Sequence, residues 1–140
     1  MLKGSIVALI TPFDGENLSE EKYIKLINYH LESGTNGVVP GGTTGESPTL
    51  SHNEHRKIIE IAVKECKGKI PVIAGTGSNS TDEAIELSIF AEKAGADSLL
   101  VVTPYYNKPT QEGLYQHYKK INDNVGIPII IYNIPSRSVI

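Results

Sequence analysis

Several residues that could bind or transform a small acid follow short β-branched runs in the chain. Residues 41–47 (GGTTGES) place the hydroxyls of Thr43 and Thr44 between glycines, where backbone N–H groups can also approach a ligand. Arg137 can bind a carboxylate through two parallel N–H···O hydrogen bonds. The phenols of Tyr106 and Tyr132 can transfer protons. Together these residue types fit a small carboxylate or carbonyl substrate.

Each of these residues also has a purely structural interpretation. The glycine-rich stretch can be a tight strand-to-helix turn, and a buried tyrosine is often a core residue with a satisfied hydroxyl. A single arginine after a proline-containing turn is usually a surface charge. The functional hypothesis therefore depends on whether the fold brings these side chains to one place.

The elements that must position them alternate along the chain. Five apolar runs recur about every 30 residues, the length of a βαβ unit, at 6–10, 37–40, 71–74, 98–102 and 128–132. None alternates apolar with polar residues, which is typical of parallel strands buried on both faces. Amphipathic stretches lie between them and predict four helices, from Ser19 to Gly34, from about His52 to Cys66, from Ser80 to Gly95 and from Thr110 to Gly126. Ser80 and Glu83 have the spacing of a capping box.

Two α/β architectures fit this order: an open doubly wound sheet and a (β/α)₈ barrel. A complete barrel needs about 250 residues, so we interpret residues 1–140 as the N-terminal half of a single barrel domain. In both folds ligands bind at the carboxyl ends of the strands. The hydroxyls, the glycines and Arg137 are therefore expected on a single rim. A half-barrel should also have open sheet edges and exposed apolar faces.

Composition excludes several classes of protein. The 140 residues are 39% hydrophobic and 21% charged, which is an ordinary composition for a globular protein. The formal net charge of −3 provides no electrostatic basis for binding nucleic acid or anionic membranes. The apolar runs are too short to span a membrane. A single cysteine, Cys66, excludes a disulfide framework and a Cys-rich zinc site, and the default compartment is the reducing cytosol.

The remaining motifs predict no cofactor and no metal. Residues 75–80 lack the third glycine of a dinucleotide fingerprint, and residues 41–46 lack the Lys-Ser/Thr of a phosphate loop. His52 and His55 do not form the HExxH zinc pattern, and alone they indicate surface or capping residues. Cys66 is expected to be a small buried apolar residue.

In combination, three motifs resemble the dihydrodipicolinate synthase family: residues 42–47 (GTTGES), 104–113 (PYYNKPTQEG) and 132–137 (YNIPSR). The resemblance extends from residue 4 to residue 137. The first motif alone marks only the wider class I aldolases that act through pyruvate.

The resemblance implies a (β/α)₈ barrel with 4-hydroxy-tetrahydrodipicolinate synthase activity in lysine biosynthesis by the diaminopimelate pathway. A lysine on the sixth strand forms a Schiff base with pyruvate, and the enamine attacks aspartate 4-semialdehyde before cyclisation. Thr43, Tyr106 and Tyr132 match the proton-relay residues, and Tyr106 reaches into a neighbouring subunit's site. Thr44 matches the residue that holds the pyruvate carboxylate, and Arg137 the one that receives the semialdehyde carboxylate.

The resemblance also implies regulation and assembly. The family's enzymes are usually homotetramers built from two tight dimers, and lysine-sensitive members bind L-lysine as a feedback inhibitor at the dimer interface. The matching positions are Ser47, His52, His55, Asn79, Glu83 and Tyr105.

This sequence departs from the family pattern in a few places. Pro48 stands where some members have a small residue, and Ser138-Val139 replaces the common Thr-Gly after Arg137. No lysine lies inside an apolar strand, where desolvation could lower an amine's pKa enough for nucleophilic attack. We therefore expect the Schiff-base lysine beyond Ile140 and no Schiff-base chemistry from residues 1–140 alone.

Two other functions stay open. Another pyruvate aldolase, such as N-acetylneuraminate lyase or a keto-deoxy sugar acid aldolase, shares the first motif but does not normally carry the Pro-Ser-Arg motif around Arg137. A non-catalytic half-barrel that binds or regulates is the alternative from a different class.

Overall fold

The structure, a computed structural model, describes residues 2–140. Its elements follow in the order β1 (Ile6–Ala8), β2 (Phe13–Asp14), β3 (Asn17–Leu18), α1 (Glu20–Glu32), β4 (Gly37–Val39), a 3₁₀ turn (Ser47–Thr49), α2 (His52–Cys66), β5 (Ile73–Gly75), α3 (Thr81–Ala94), β6 (Ser98–Val102), α4 (Gln111–Asn122), β7 (Ile129–Tyr132) and α5 (Pro135–Ser138). All five predicted strands and all four predicted helices are present. No helix within residues 2–140 is long and apolar enough to cross a membrane.

The five main strands are parallel and lie side by side in chain order. β1 pairs with β4, and β5 pairs with β6, which pairs with β7. A single bridge between Val38 and Val72 and a hydrogen bond of 2.8 Å from the Gly75 N–H to the Pro40 carbonyl join β4 to β5. A doubly wound sheet reverses its strand order at a switch point, and this sheet does not, so the topology favours the barrel.

The core lies between the helices and the outer face of the sheet. One cluster joins α1 and α2 to the sheet through Tyr23, Ile27 and Ile58, and a second joins α2, α3 and α4 through Ile59 and Leu99. Cys66 is fully buried in the first cluster, as predicted. Burial raises the pKa of its thiol to about 11, so the thiol stays protonated at neutral pH.

The opposite face of the two outer strands is open. Every residue of β4 and β5 is buried, but Ile6 and Ile131 are 36% and 60% exposed. The prediction of burial on both faces is therefore wrong for β1 and β7, because no described residue packs over them. The exposed apolar faces expected of a half-barrel are confirmed.

Helix ends differ from the predictions in two places. Ser80 accepts a hydrogen bond from the Glu83 N–H, but the Glu83 carboxylate does not return to the Ser80 N–H, so the predicted capping box is only half formed. The complete capping box lies instead at Ser51 and Glu54. α4 ends at Asn122 rather than near Gly126 because Asn and Asp side chains at 122–124 compete with helical hydrogen bonds.

The capping box at the start of α2 gives a stability prediction. In Ser51→Ala, the Glu54 N–H loses its acceptor, so the free energy of unfolding should fall by about 1 kcal/mol. Urea denaturation of the full-length protein measures the change. The matched control is Ser33→Ala at the end of α1, where Ser33 caps through its backbone and the change should stay within about 0.5 kcal/mol. Equal losses in the two variants would contradict the assignment.

Candidate active site

The carboxyl ends of four neighbouring strands surround a cavity of about 440 Å³, called here the rim cavity. Its walls come from the segments after β4, β5, β6 and β7 and from the first turns of α2 and α3. The lining residues are Thr43, Ser47, Pro48, Leu50, His52, His55, Gly77, Glu83, Leu87, Val102, Tyr105, Ile134, Arg137 and Ser138.

A smaller hollow of about 30 Å³ adjoins the rim cavity. Tyr132 and the glycines Gly41, Gly42 and Gly75 line only this inner hollow, whereas Thr43 lines both spaces. Thr43 therefore shares the rim cavity with Arg137 and the inner hollow with Tyr132. Ser47, Gly77 and Val102 also line both spaces, so the three predicted site residues lie around adjoining spaces instead of on unrelated surfaces.

Close backbone packing sets the position of the loop that carries Thr43. Gly41 adopts φ +68°, which favours glycine. A Cβ on Gly75 would overlap the Gly41 carbonyl, and a Cβ on Gly41 would lie 2.6 Å from His55 Nε2. The ends of β4 and β5 thus meet backbone to backbone, and no side chain fits between them.

Two of the predicted catalytic and substrate-binding residues line neither space. Thr44 is exposed next to Thr43 on the same loop. Tyr106 is 91% exposed and adopts φ +73°, an unfavourable conformation for a residue with a Cβ. Such conformations cluster at functional sites. Tyr106 projects from the molecule instead of joining Thr43 and Tyr132.

Backbone hydrogen bonds fix the ends of the other two site segments. Tyr132 pairs with Val102 in the sheet, and its carbonyl accepts a bond of 2.9 Å from the Thr103 N–H. Arg137 lies on α5 with an exposed side chain. No ion pair formed within residues 2–140 includes Arg137, so its guanidinium is available to an anion.

Most of the residues matched to a lysine site lie together on the rim cavity. Ser47, His52, His55, Glu83 and Tyr105 line it. His52 Nε2 lies 2.8 Å from Glu83 Oε1, and the Ser78 hydroxyl donates to the same carboxylate. Asn79 does not line the cavity, and its carbonyl accepts a bond of 3.2 Å from the Asn107 side chain.

His55 is a buried neutral donor, not the surface or capping residue that its spacing indicated. Its ring is 6% exposed, and Nε2 donates to the Gly75 carbonyl at 2.7 Å. Burial lowers the pKa of His55, and the Gly75 carbonyl and the Glu83 charge oppose this effect only in part. His52 remains exposed, as the pattern indicated.

Several hydroxyls that follow the strands do not reach either space. Thr11, Thr76 and Thr103 are buried. Thr11 Oγ1 donates to the Gly45 carbonyl at 2.7 Å, and Thr76 Oγ1 accepts from Ser88 at 2.9 Å. The sequence pattern correctly predicted that these residues follow the carboxyl ends of strands. It did not distinguish hydroxyls that line a cavity from hydroxyls that form hydrogen bonds in the protein interior.

Two features of the site were not predicted. Leu50, Leu87 and Val102 give the rim cavity an apolar wall, and Ser78 holds the Glu83 carboxylate. The only signal for Ser78 was its place two residues before a helix cap, where its hydroxyl accepts from the Ser80 N–H. Val139, which departs from the family's glycine, adopts φ +58°, a strained conformation for a β-branched residue next to Arg137.

Neither space holds an amine or a metal cluster. No lysine among residues 2–140 lines either one. No described group of three or more His, Cys, Asp or Glu side chains could hold a metal ion. The larger cleft of about 910 Å³ lies at the opposite end of the strands, next to Pro71 and Asp97, and it shares no residue with the site.

A parallel β/α sheet in unbroken chain order, with a polar cavity at the carboxyl ends of its strands, is typical of (β/α)₈ barrels. Residues 1–140 match the model of the Dihydrodipicolinate synthetase family, and the chain belongs to this family. It is 72% identical over 140 residues to the 4-hydroxy-tetrahydrodipicolinate synthase of Pelagibacter ubique, covering 100% of this chain and 48% of that protein. The chain spans about half the length of the curated relatives it matches.

Solved structures agree with the fold. Dihydrodipicolinate synthase from Acinetobacter baumannii, crystallised with pyruvate, is 51% identical with a TM-score of 0.96 and covers 99% of this chain and 48% of that one. The enzyme from Cyanidioschyzon merolae with lysine bound is 39% identical with a TM-score of 0.93, over 98% of this chain and 48% of that one. The chain therefore has the fold of the N-terminal half of a (β/α)₈ barrel.

The buried histidine gives a pH prediction. Because the pKa of His55 is lower in the folded state, the unfolded state binds more protons below pH of about 6.5, and stability should fall as pH drops through that value. His55→Gln keeps an N–H donor for Gly75 but does not titrate, so its unfolding free energy should depend less steeply on pH between 7 and 5.

His117 on α4 provides the comparison for this measurement, because burial lowers the pKa of its ring as well. His117→Asn should remove a separate part of the slope, and the double variant should remove more than either single one. Urea denaturation of the full-length protein at several pH values measures the slopes. A His55→Gln slope equal to wild type would show that His55 is not the buried neutral donor.

Proposed function

We propose that the full-length protein containing this chain is a 4-hydroxy-tetrahydrodipicolinate synthase, a lyase that condenses pyruvate with L-aspartate 4-semialdehyde. The observation that carries the proposal is the position of Thr43, which lines both the rim cavity with Arg137 and the inner hollow with Tyr132. A relative whose structure includes this half of the barrel was crystallised in complex with pyruvate. The enzyme acts in the cytoplasm, and the buried reduced thiol of Cys66 fits that compartment.

The glycine-rich loop is the pyruvate carboxylate site in this proposal. Thr43 and Thr44 are exposed on a loop in which Gly41 packs against Gly75 of β5 and Gly45 packs against Leu9 and Thr11. The loop is therefore fixed in place while the hydroxyl groups of the two threonines stay accessible to a ligand. Preorganised donors of this kind hold a carboxylate without reorganisation in the reaction. Arg137 receives the carboxylate of the semialdehyde because its guanidinium has no carboxylate partner in the described chain.

Proton transfer is assigned to Thr43, Tyr106 and Tyr132. Thr43 and Tyr132 share the inner hollow. Tyr106 is too exposed to join them in its own subunit, which supports a role in the site of a neighbouring subunit. The active enzyme is then built from tight dimers in which the Tyr106 of each subunit completes the site of the other, and two such dimers form the homotetramer that the family resemblance implies.

The Schiff-base lysine comes from the other half of the full-length protein. All lysines within residues 2–140 lie outside both spaces, and none is buried. An exposed amine stays protonated near neutral pH and is a poor nucleophile. The chain described here therefore supplies the carboxylate sites and the proton relay, and no further cofactor is needed.

Arg137 also separates the synthase from other pyruvate aldolases. A free guanidinium at the cavity suits an acceptor aldehyde that carries a carboxylate. The sugar-acid aldolases considered above do not normally carry this arginine motif. A half-barrel that only binds or regulates would not require Thr43 to line both the rim cavity and the inner hollow.

Two variants of the full-length protein test the assignment. Tyr132→Phe should lower kcat by about 10²-fold or more because it removes a proton-transfer group. Arg137→Ala should mainly raise KM for aspartate 4-semialdehyde, by about tenfold, and leave KM for pyruvate within about twofold. Steady-state condensation kinetics measure both effects.

Borohydride reduction in the presence of pyruvate separates chemistry from binding. Wild type and both variants should form a reduced covalent adduct, and residues 1–140 expressed alone should not. Absence of an adduct in the full-length wild type, or an adduct on the isolated chain, would contradict the proposal.

We further propose that L-lysine inhibits the enzyme by binding in the rim cavity. The carboxylate of Glu83, held by Ser78 and His52, suits the ammonium groups of lysine, and a relative was crystallised with lysine bound. Wild type should lose activity at millimolar lysine. Glu83→Gln should weaken inhibition by about tenfold because it removes the paired charge.

The matched control is Glu86→Gln, one turn further along α3. Glu86 pairs with Arg56 and does not line the rim cavity, so the inhibition constant should stay within about twofold of wild type. Activity that is unaffected by millimolar lysine would contradict this part of the proposal, as would equal effects of the two substitutions.

A further inference from the structure

A buried hydroxyl at the end of β1 contacts the loop that carries Thr43 and Thr44. Thr11 is 5% exposed, and its Oγ1 donates to the Gly45 carbonyl at 2.7 Å. Gly45 is itself buried. A Cβ at Gly45 would lie 2.9 Å from the Leu9 carbonyl oxygen and 3.2 Å from Thr11 Oγ1, so the loop rests directly on the end of β1.

The loop's other hydrogen bonds are local. The N–H groups of Gly45, Glu46 and Ser47 bond to carbonyls of Gly42 and Thr43, which shapes the turn without fixing it to the sheet. Apart from the bonds formed within residues 41–50, the bond from Thr11 is the one hydrogen bond that reaches residues 41–47 in the described part of the chain. The Thr11–Gly45 bond therefore fixes this loop to the segment that follows β1.

We infer that Thr11 is a positioning residue for the pyruvate carboxylate site, an inference that rests on the proposed function. Thr11 reaches neither the rim cavity nor the inner hollow, so it acts through the loop and does not touch substrate. Without its hydroxyl the buried Gly45 carbonyl loses its partner, and the loop gains freedom to move away from β1. Small displacements of a binding loop reduce the rate of the chemical step as well as affinity.

The full-length protein carrying Thr11→Val tests the inference, since valine keeps the shape and removes the donor. We expect kcat/KM for pyruvate to fall by about tenfold, with KM for pyruvate raised, while KM for aspartate 4-semialdehyde, which binds at Arg137 on α5, stays within about twofold. Thr11→Ser retains the hydroxyl and should restore kcat/KM to within about twofold of wild type.

The matched control removes another buried hydroxyl bond at a similar depth. Ser88 donates to Thr76 at 2.9 Å between α3 and the end of β5. Ser88→Ala should not change the KM for pyruvate, even if it lowers stability as much as Thr11→Val does. If Thr11→Val fails to fold, Thr11→Ala, which adds no branched side chain, is measured in the same way.

Hydrogen–deuterium exchange gives a readout that does not need activity. Amides within residues 43–47 should exchange faster in Thr11→Val than in wild type, Thr11→Ser or Ser88→Ala. A wild type that does not condense the two substrates would refute the proposed function, and exchange alone would then decide whether Thr11 holds the loop. Unchanged exchange, or kinetics in Thr11→Val like those of wild type or of Ser88→Ala, would overturn the inference.

Discussion

The contact between the backbones of Gly41 and Gly75 is the constraint on which the rest of the site depends. Within residues 2–140, β4 and β5 share one bridge, between Val38 and Val72, and a hydrogen bond from Gly75 to Pro40, next to which the backbones of Gly41 and Gly75 meet. A side chain on Gly75 would overlap the Gly41 carbonyl, and a side chain on Gly41 would collide with the His55 ring. His55, on α2, also contacts this junction, because its ring donates a hydrogen bond to the Gly75 carbonyl. The loop with Thr43, the first turn of α2 and the end of β5 are thereby fixed to one another.

Backbone strain is concentrated around the site. The non-glycine residues with positive φ within residues 2–140 are Glu46, Tyr106, Lys108 and Val139. All of them lie in segments that follow β4, β6 or β7 at the carboxyl ends of the strands. The opposite ends of the strands and the helices have none. Strain of this kind persists only where surrounding packing enforces it, and here the same segments carry Thr43, Tyr106 and Arg137.

Sequence patterning predicted the elements well because each signal was local. Uninterrupted apolar runs located the strands, and the helix that begins at His52 and ends at Cys66 was predicted without error. The rim was also predictable, since parallel strands send their carboxyl ends to one edge. The orientation of the side chains was not predictable. Thr11 and Thr43 both follow strands, yet Thr11 is buried against the Gly45 carbonyl and Thr43 is exposed. Likewise, nothing in the spacing of His55 indicated a neighbouring carbonyl twenty residues away.

We propose that the loop after β4 holds the carboxylate of a small keto acid between Tyr132 and Arg137. A crystal structure of the full-length protein after borohydride reduction with pyruvate tests this claim most directly. We predict that the carboxylate of the adduct lies within about 3.2 Å of hydroxyl or N–H groups of Thr43 and Thr44. An adduct located away from this loop, for example in the cleft beside Pro71 and Asp97 at the opposite end of the strands, would contradict it.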